Sequence, residues 1–203
     1  MKIVIATNNQ QKFQQILYAL KPLNKYCVFL SLKDINYHKK INENGKTFAQ
    51  NSLKKALQVF RDIGYVTIAE DSGLCINALN GEPGVFTSRF AGVNATRRQQ
   101  LIKILHKMKK VSIHDRKAYF VSVVTCVFST KKIIQTQGKL LGSISEKIIN
   151  INNGLIHDPI FIPKGYKITL SKLSINEKLK INHRGQAIRK LISKIKKCVV
   201  NLH

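Results

Sequence analysis

The chain has 203 residues, of which 35 are Lys or Arg and 10 are Asp or Glu, giving a formal net charge of +25, and 44% are hydrophobic. That hydrophobic share excludes a disordered basic tail, and the length suits one domain, or one domain split into two lobes, with a core of its own. The longest mostly apolar run, residues 119–128, falls well short of the ~20 residues of a membrane-spanning helix, and the apolar stretch after Met1 and Lys2 ends at Ala6, too short for a signal peptide, so no membrane partner and a cytoplasmic location are expected.

Lys2-Ile3-Val4-Ile5-Ala6 reads as a buried strand that breaks into the polar turn Thr7 to Lys12. Phe13, Ile16, Leu17 and Leu20 follow at helical spacing. A second short strand is predicted over residues 27–30, then a polar loop over residues 33–45. Thr47 and Gln50 stand as a capping box, so a helix starts there. On it Ala49, Leu53, Ala56, Leu57 and Phe60 share one side, whereas Thr47, Asn51, Lys55 and Gln58 recur on the other, which is expected to face solvent or a ligand. Residues 65–69 read as a strand ending in Glu70-Asp71-Ser72-Gly73, residues 74–79 as its continuation, and residues 80–84 as a turn. A helix over residues 95–109 turns Leu101, Ile104, Leu105 and Met108 inward. Residues 118–129 and 132–138 form an antiparallel pair around a short polar turn. Asn182 caps a final helix through Val199 with a stripe of Ile188, Leu191, Ile192 and Ile195. With no internal repeat and no linker, the fold class is mixed α/β.

Three polar clusters interrupt these elements. The turn Thr7, Asn8, Asn9, Gln10, Gln11, Lys12 joins a strand to a helix amino terminus, where backbone N–H groups and the helix dipole attract an anion. An ordinary solvated turn is the alternative. Glu43, Lys55 and Glu70-Asp71-Ser72-Gly73 form the second cluster; adjacent acids at a strand end suit a magnesium ion or a base, against the alternative of a solvated turn. The third holds Leu155, Ile156, His157 and Asp158, then Glu177 and Lys178, then Asn182, His183 and Arg184. Taken singly, His157 reads as a structural or surface histidine and His183 as part of a helix cap. Cys27, Cys75, Cys126 and Cys198 lie too far apart for a metal knuckle or a disulfide framework and are expected as buried free thiols.

Read in order, these segments resemble the inosine triphosphate and xanthosine triphosphate pyrophosphatases, which clear non-canonical purine nucleotides. The resemblance is carried by Ala6-Thr7-Asn8-Asn9-x-x-Lys12, Glu43-x-Gly45-x-Thr47-Phe48-x-x-Asn51-x-x-x-Lys55-Ala56, Asp71-Ser72-Gly73-Leu74, Gly81-x-Pro83-Gly84-x-x-x-Ser88-Arg89-x-x-Gly92, Asp158-Pro159-Ile160-Phe161 and His183-Arg184-Gly185-x-Ala187. It implies one domain over residues 1–203, a single elongated α/β fold with two lobes around a central mixed sheet and an active-site cleft between them, and a homodimer. It also implies magnesium-dependent hydrolysis of inosine, deoxyinosine and xanthosine triphosphates to the monophosphate and pyrophosphate. Thr7, Asn8, Asn9, Gln10, Gln11, Lys12 and Lys55 would then hold the triphosphate, and Glu43 and Asp71 the magnesium. Asp71 would also activate the attacking water, Ser72 and Arg89 would touch the nucleotide, and Leu155, Ile156, His157, Asp158, Lys178, His183 and Arg184 would line the base pocket.

Departures from the family pattern fall mainly on the base side. Leu155-Ile156-His157-Asp158 stands where the family has Phe-Gly-Tyr-Asp, Glu70-Asp71 replaces an Asp pair, Asn182 replaces a serine, and Gln15, Gln50 and Lys172 replace acids. Retained hydrolysis with weaker base discrimination is expected; the alternatives are a less selective nucleoside triphosphate pyrophosphatase or a degenerate nucleotide-binding protein. A charge of +25 also raises a nucleic-acid binder. Yet Lys appears 28 times against Arg 7, with 26 Ile and 16 Asn, which matches drift in the AT-rich genome of a bacterial member better than selection for phosphate-gripping Arg. The scarce acids are therefore the informative ones, and Glu43, Glu70, Asp71, Asp158 and Glu177 all fall in or beside the motifs.

Overall fold

The computed structural model describes residues 1–87, 89–152 and 154–199, with side chains described as far as residue 196. Ser88 of the fourth motif and the Cys198 thiol lie outside the described residues. The architecture is α/β, a six-stranded mixed sheet in the order β2-β1-β3-β4-β5-β6 with five α-helices among the described residues. The strands are β1 (Lys2–Ile5), β2 (Val28–Ser31), β3 (Val66–Ile76), β4 (Lys117–Ser129), β5 (Lys132–Ile144) and β6 (Phe161–Pro163). The helices are α1 (Gln10–Leu20), α2 (Phe48–Ile63), α3 (Arg97–Lys107), α4 (Ile175–Ile181) and α5 (His183–Val199). Among the described residues no helix is long and apolar enough to cross a membrane.

The chain divides into two compact units, one of residues 1–72, 122–138 and from Asn182 onward, the other of residues 73–121 and 139–181. In the first, β1 runs parallel to β2, with Lys2 opposite Val28, and parallel to β3, with Ile3 opposite Val66. Parallel neighbours need crossovers, and α1 and α2 supply them. Strand alternation then sorts the side chains. Ile3, Ile5 and Ile68 join one core with Ile16 and Leu20 of α1 and Ile188, Leu191 and Ile195 of α5. Val4, Ala6 and Ala69 join another with Ala56 and Val59 of α2. The amino end of α5 lies so close to β5 that a Cβ on Gly138 would stand 2.0 Å from the His183 carbonyl oxygen, and Thr136 Oγ1 donates to the Ala187 carbonyl at 2.8 Å. Only glycine fits there, because the two atoms a Cβ would meet first, the His183 carbonyl oxygen and the Ala187 nitrogen, are backbone.

The second unit packs Leu74 and Ile76 of β3, Leu101, Ile104 and Met108 of and beside α3, and Phe120, Ile144, Ile160 and Phe161 into one core. β6 pairs antiparallel with β5, Gly142 opposite Pro163, and a Cβ on Gly142 would meet the Ile162 carbonyl oxygen at 2.3 Å.

Several sequence expectations need correction. Glu70-Asp71-Ser72-Gly73 does not end a strand; β3 runs through it unbroken to Ile76, so the continuation expected over residues 74–79 holds for residues 74–76, and a short 3₁₀ turn, Asn77–Leu79, stands in place of its end. The helix expected over residues 95–109 is the shorter α3, started by a full capping box of Thr96 and Gln99. The strand expected to stop at Gly138 continues to Ile144. β6 and α4 were not foreseen. Cys27, Cys75 and Cys126 are free and buried, as expected of them.

Candidate active site

The polar cluster of the first unit follows from β3 alternation. Ile68 belongs to the α1 and α5 core, so Glu70 and Ser72 turn the same way; Ala69 belongs to the α2 core, so Asp71 turns toward α2. On the first face Arg184 Nη2 lies 3.2 Å from Glu70 Oε1 and donates to Ser72 Oγ at 3.1 Å. Ser122 of β4 donates to Glu70 Oε1 at 2.8 Å, Lys12 Nζ lies 3.1 Å from Glu70 Oε2, and Arg184 Nη1 donates to Gln15 Oε1. Burial pushes the Glu70 carboxyl upward, but Arg184, Lys12, the Ser72 hydroxyl and Lys55 together hold it well below the usual carboxylate range. Glu70 is thus a permanent anion that fixes two cations.

On the second face Asn51 Nδ2 donates to Asp71 Oδ2 at 3.0 Å while Asn51 Oδ1 accepts the Gly45 N–H at 2.7 Å. Lys55 Nζ stands between two acids, 3.5 Å from Asp71 Oδ1 and 3.2 Å from Glu43 Oε2. Burial raises the Asp71 carboxyl pKa; Lys55, Lys12 and Asn51 oppose that rise and Glu70 adds to it. The polar side of α2, expected to face solvent or ligand, has Asn51 at 2% and Lys55 at 6% exposure, spent on Asp71 and on the 42–45 loop. Glu43 remains about half exposed. Glu43 and Asp71 therefore offer hard carboxylate oxygens converging on one cation. That donor set fits a magnesium ion, which takes one or two carboxylates and completes its shell with water and substrate phosphate. Among the described residues no group of three or more His, Cys, Asp or Glu forms a self-sufficient metal centre.

The turn before α1 is tightly made. Asn9 caps the helix, its side chain accepting the Lys12 N–H at 3.0 Å, and Thr7 Oγ1 accepts the Asn9 N–H at 3.2 Å. Asn8, Gln10 and Gln11 are exposed, and the first-turn N–H groups of Gln10 and Gln11 point out of the helix end, the arrangement that attracts phosphate.

In the second unit Asp158 Oδ2 accepts the Leu155 N–H at 3.0 Å and lies 3.4 Å from Lys178 Nζ of α4. Burial raises its pKa, against Lys178, the Leu155 N–H and Arg97. Gly154, at φ +79°, is required here because a Cβ would stand 2.1 Å from Asp158 Oδ2. Arg97, at the start of α3, donates to the Leu155 carbonyl at 2.6 Å and the Ile156 carbonyl at 3.4 Å. His157 is 2% exposed, its Nε2 without a hydrogen-bond partner, and burial together with Arg97 lowers its pKa to about 3. It packs inside rather than offering an open ring. Glu177 caps α4, accepting from the Ser174 N–H and hydroxyl at 2.8 and 2.7 Å, which is a structural use of that acid.

The model of the Ham1 family matches residues 3–194. The chain belongs to the Ham1 family. It is 34% identical over 201 residues to a Clostridium perfringens protein named dITP/XTP pyrophosphatase, covering 96% of this chain and 97% of that one. It is 37% identical over 193 residues to a Thermoanaerobacter pseudethanolicus protein of the same name, covering 94% of each. Among solved structures, the Staphylococcus aureus Ham1 protein superposes with a TM-score of 0.87 at 30% identity, and a HAM1 protein from Coxiella burnetii with 0.88 at 32%; both cover 97% of this chain and 99% of theirs.

In this Ham1 chain the first unit gathers the predicted residues into two clusters on the two faces of β3, Lys12, Ser72 and Arg184 around Glu70 on one and Lys55 and Glu43 around Asp71 on the other, with His183 buried at the start of α5. The second gathers Leu155, Ile156, His157, Asp158 and Lys178. Arg89 joins neither; it is exposed, its guanidinium 5.2 Å from the Phe86 ring centre. Sequence reasoning gave no role to Asn51, Ser122 or Arg97. Asn51 stood inside a motif and was legible in principle, whereas Ser122 and Arg97 act through contacts distant in sequence.

Proposed function

We propose that this chain hydrolyses non-canonical purine nucleoside triphosphates, deoxyinosine and xanthosine triphosphates among them, to the monophosphate and pyrophosphate. The observation that carries the reading is Asp71: a buried acid with one oxygen fixed by Asn51 and the other facing a lysine shared with Glu43. A carboxylate raised toward neutral pH by burial is a competent base, provided a proton can reach it. Water attacks the α-phosphorus, its proton passes to Asp71, and the bond from that phosphorus to the bridging oxygen breaks, so pyrophosphate leaves with the electron pair. Lys12, Lys55 and the turn from Thr7 to Gln11 bind the triphosphate, a reaction that demands mainly positioning and charge neutralisation. Magnesium bound by Glu43 and Asp71 would neutralise phosphate charge. Ser72 touches the nucleotide, and Asp158 and Lys178 read the base, with Leu155, Ile156, His157, His183 and Arg184 beside it. The protein acts as one domain over residues 1–203, in the cytoplasm, as a homodimer.

The decisive experiment measures pyrophosphate release with magnesium from deoxyinosine and deoxyadenosine triphosphates. Deoxyinosine triphosphate is expected to be cleaved with the higher kcat/KM. Equal values would replace the reading by an unselective pyrophosphatase, and release from neither would leave a nucleotide-binding protein.

A further inference from the structure

Glu43 sits in a loop without regular secondary structure, and α2 holds that loop residue by residue in antiparallel order. Asn51 Oδ1 takes the Gly45 N–H at 2.7 Å; Lys54 Nζ donates to Asn44 Oδ1 at 2.7 Å; Lys55 Nζ pairs with Glu43 at 3.2 Å; Gln58 Oε1 takes the Asn42 N–H at 3.1 Å. Gln58 Nε2 also donates to the Lys40 carbonyl at 2.8 Å and to Tyr37 Oη at 3.1 Å, and Tyr37 Oη donates to Asp62 Oδ2 at 2.8 Å. Positions 51, 54, 55 and 58 follow the i, i+3, i+4, i+7 rule and form one stripe. The lengths agree as well. From 51 to 58 a helix rises about 10.5 Å, and three extended residues from 42 to 45 reach about 10 Å.

We infer that Gln58 and Lys54 are positioning residues that fix Glu43 opposite Asp71 and thereby set the affinity of the site for magnesium. They touch neither Asp71 nor Glu43; they pin the two residues flanking Glu43, Asn42 and Asn44. The inference rests on the reading of Glu43 as a magnesium ligand. A side chain that orients a ligand from outside the coordination shell typically changes metal affinity by about 10-fold to 100-fold when removed. Gln58 spends its whole amide on the loop: its oxygen on Asn42, its nitrogen on Lys40 and Tyr37. Leucine keeps its bulk and removes all three bonds.

The test compares wild type with Gln58→Leu and with Lys54→Met, the latter a change at an exposed side chain that keeps the test open should the former not fold. The magnesium concentration for half-maximal cleavage of deoxyinosine triphosphate is expected to rise about tenfold in Gln58→Leu, with turnover restored by excess magnesium. Manganese binding to the nucleotide-free proteins, read by paramagnetic resonance, should weaken by the same factor and needs no turnover. Amide exchange at Asn42 should quicken in Gln58→Leu while Gly45, still held by Asn51, stays protected. Unchanged metal affinity in a variant whose Asn42 amide has been released would overturn the inference, as would a loss of turnover that excess magnesium does not repair. A wild type that binds manganese but cleaves nothing would sink the proposed activity alone, and a weaker manganese affinity in the variants would still support the loop's role.

Discussion

Asp71→Asn is expected to lower kcat for deoxyinosine triphosphate by about 10²- to 10⁴-fold, the usual worth of a positioned general base. The fold should survive. Asn keeps the shape of Asp, its amide oxygen can still accept from Asn51 Nδ2, and Lys55 keeps Glu43 as a partner at 3.2 Å. Because burial is the largest cause of the raised Asp71 pKa, the ionised carboxylate is less favourable in the native state than in the unfolded chain. Replacing it with a neutral amide removes that opposition, so the unfolding free energy should stay level or rise by about 0.5–2 kcal/mol, as often happens where function holds a destabilised group. Pyrophosphate release at saturating substrate and magnesium, beside a denaturant midpoint, separates the possibilities. A low kcat with an intact midpoint assigns chemistry to Asp71. A matching rate in both proteins removes it from the reaction, and a collapsed midpoint makes it structural.

The sequence carried the elements whose cause is local and lost those whose cause is distant. β1, α1 and α5 were legible because their apolar patterns are clean and Asn182 marks the start of α5, where its Oδ1 accepts the Gly185 N–H; the cap that Asn9 gives α1 shows only in the structure. α4 was not, since its seven residues bury no side chain and leave no stripe to detect. The largest misreading concerned Glu70-Asp71-Ser72-Gly73. Two acids and a serine look like a turn from the sequence, yet Arg184, Lys12 and Ser122 neutralise or bond Glu70 from other elements, which lets the strand carry both acids inward. The same long-range pairing explains why Asn51 and Lys55 are buried on what looked like a solvated face. The acids chosen for their scarcity divided in the structure: Glu43, Glu70, Asp71 and Asp158 enter polar networks with cations, whereas Glu177 caps a helix.

Acid should destabilise this protein sooner than its carboxylates alone dictate, because two buried histidines must stay neutral for it to fold. His157 and His183 both have pKa values lowered to about 3, by burial first and by Arg97 and Arg184 respectively second. Unfolded, each returns to its ordinary 6.5. Between those values the unfolded chain binds more protons than the native one, so stability rises with pH and falls on acidification below about 6.5. Each group contributes a slope of up to about 1.4 kcal/mol per pH unit. Two histidines acting from pH 6.5 to 4.5 remove about 5 kcal/mol, a large part of what an ordinary domain has. Glu70, with its lowered pKa, pushes in the same direction but only below about pH 4.5, and Asp158, with its raised pKa, pushes the other way. His157→Phe isolates one contribution. The phenyl ring suits a 2% exposed position and removes a nitrogen that has no partner there. In metal-free buffer the variant should match or exceed wild type at pH 7.5, while its loss of unfolding free energy between pH 6.5 and 4.5 shrinks by up to about 1.4 kcal/mol per unit. Parallel pH profiles would mean that His157 accepts a proton in the native state. The ring would then be within reach of solvent or of an acid, and its place beside Asp158 would have to be read as a titrating contact to the base rather than as packing.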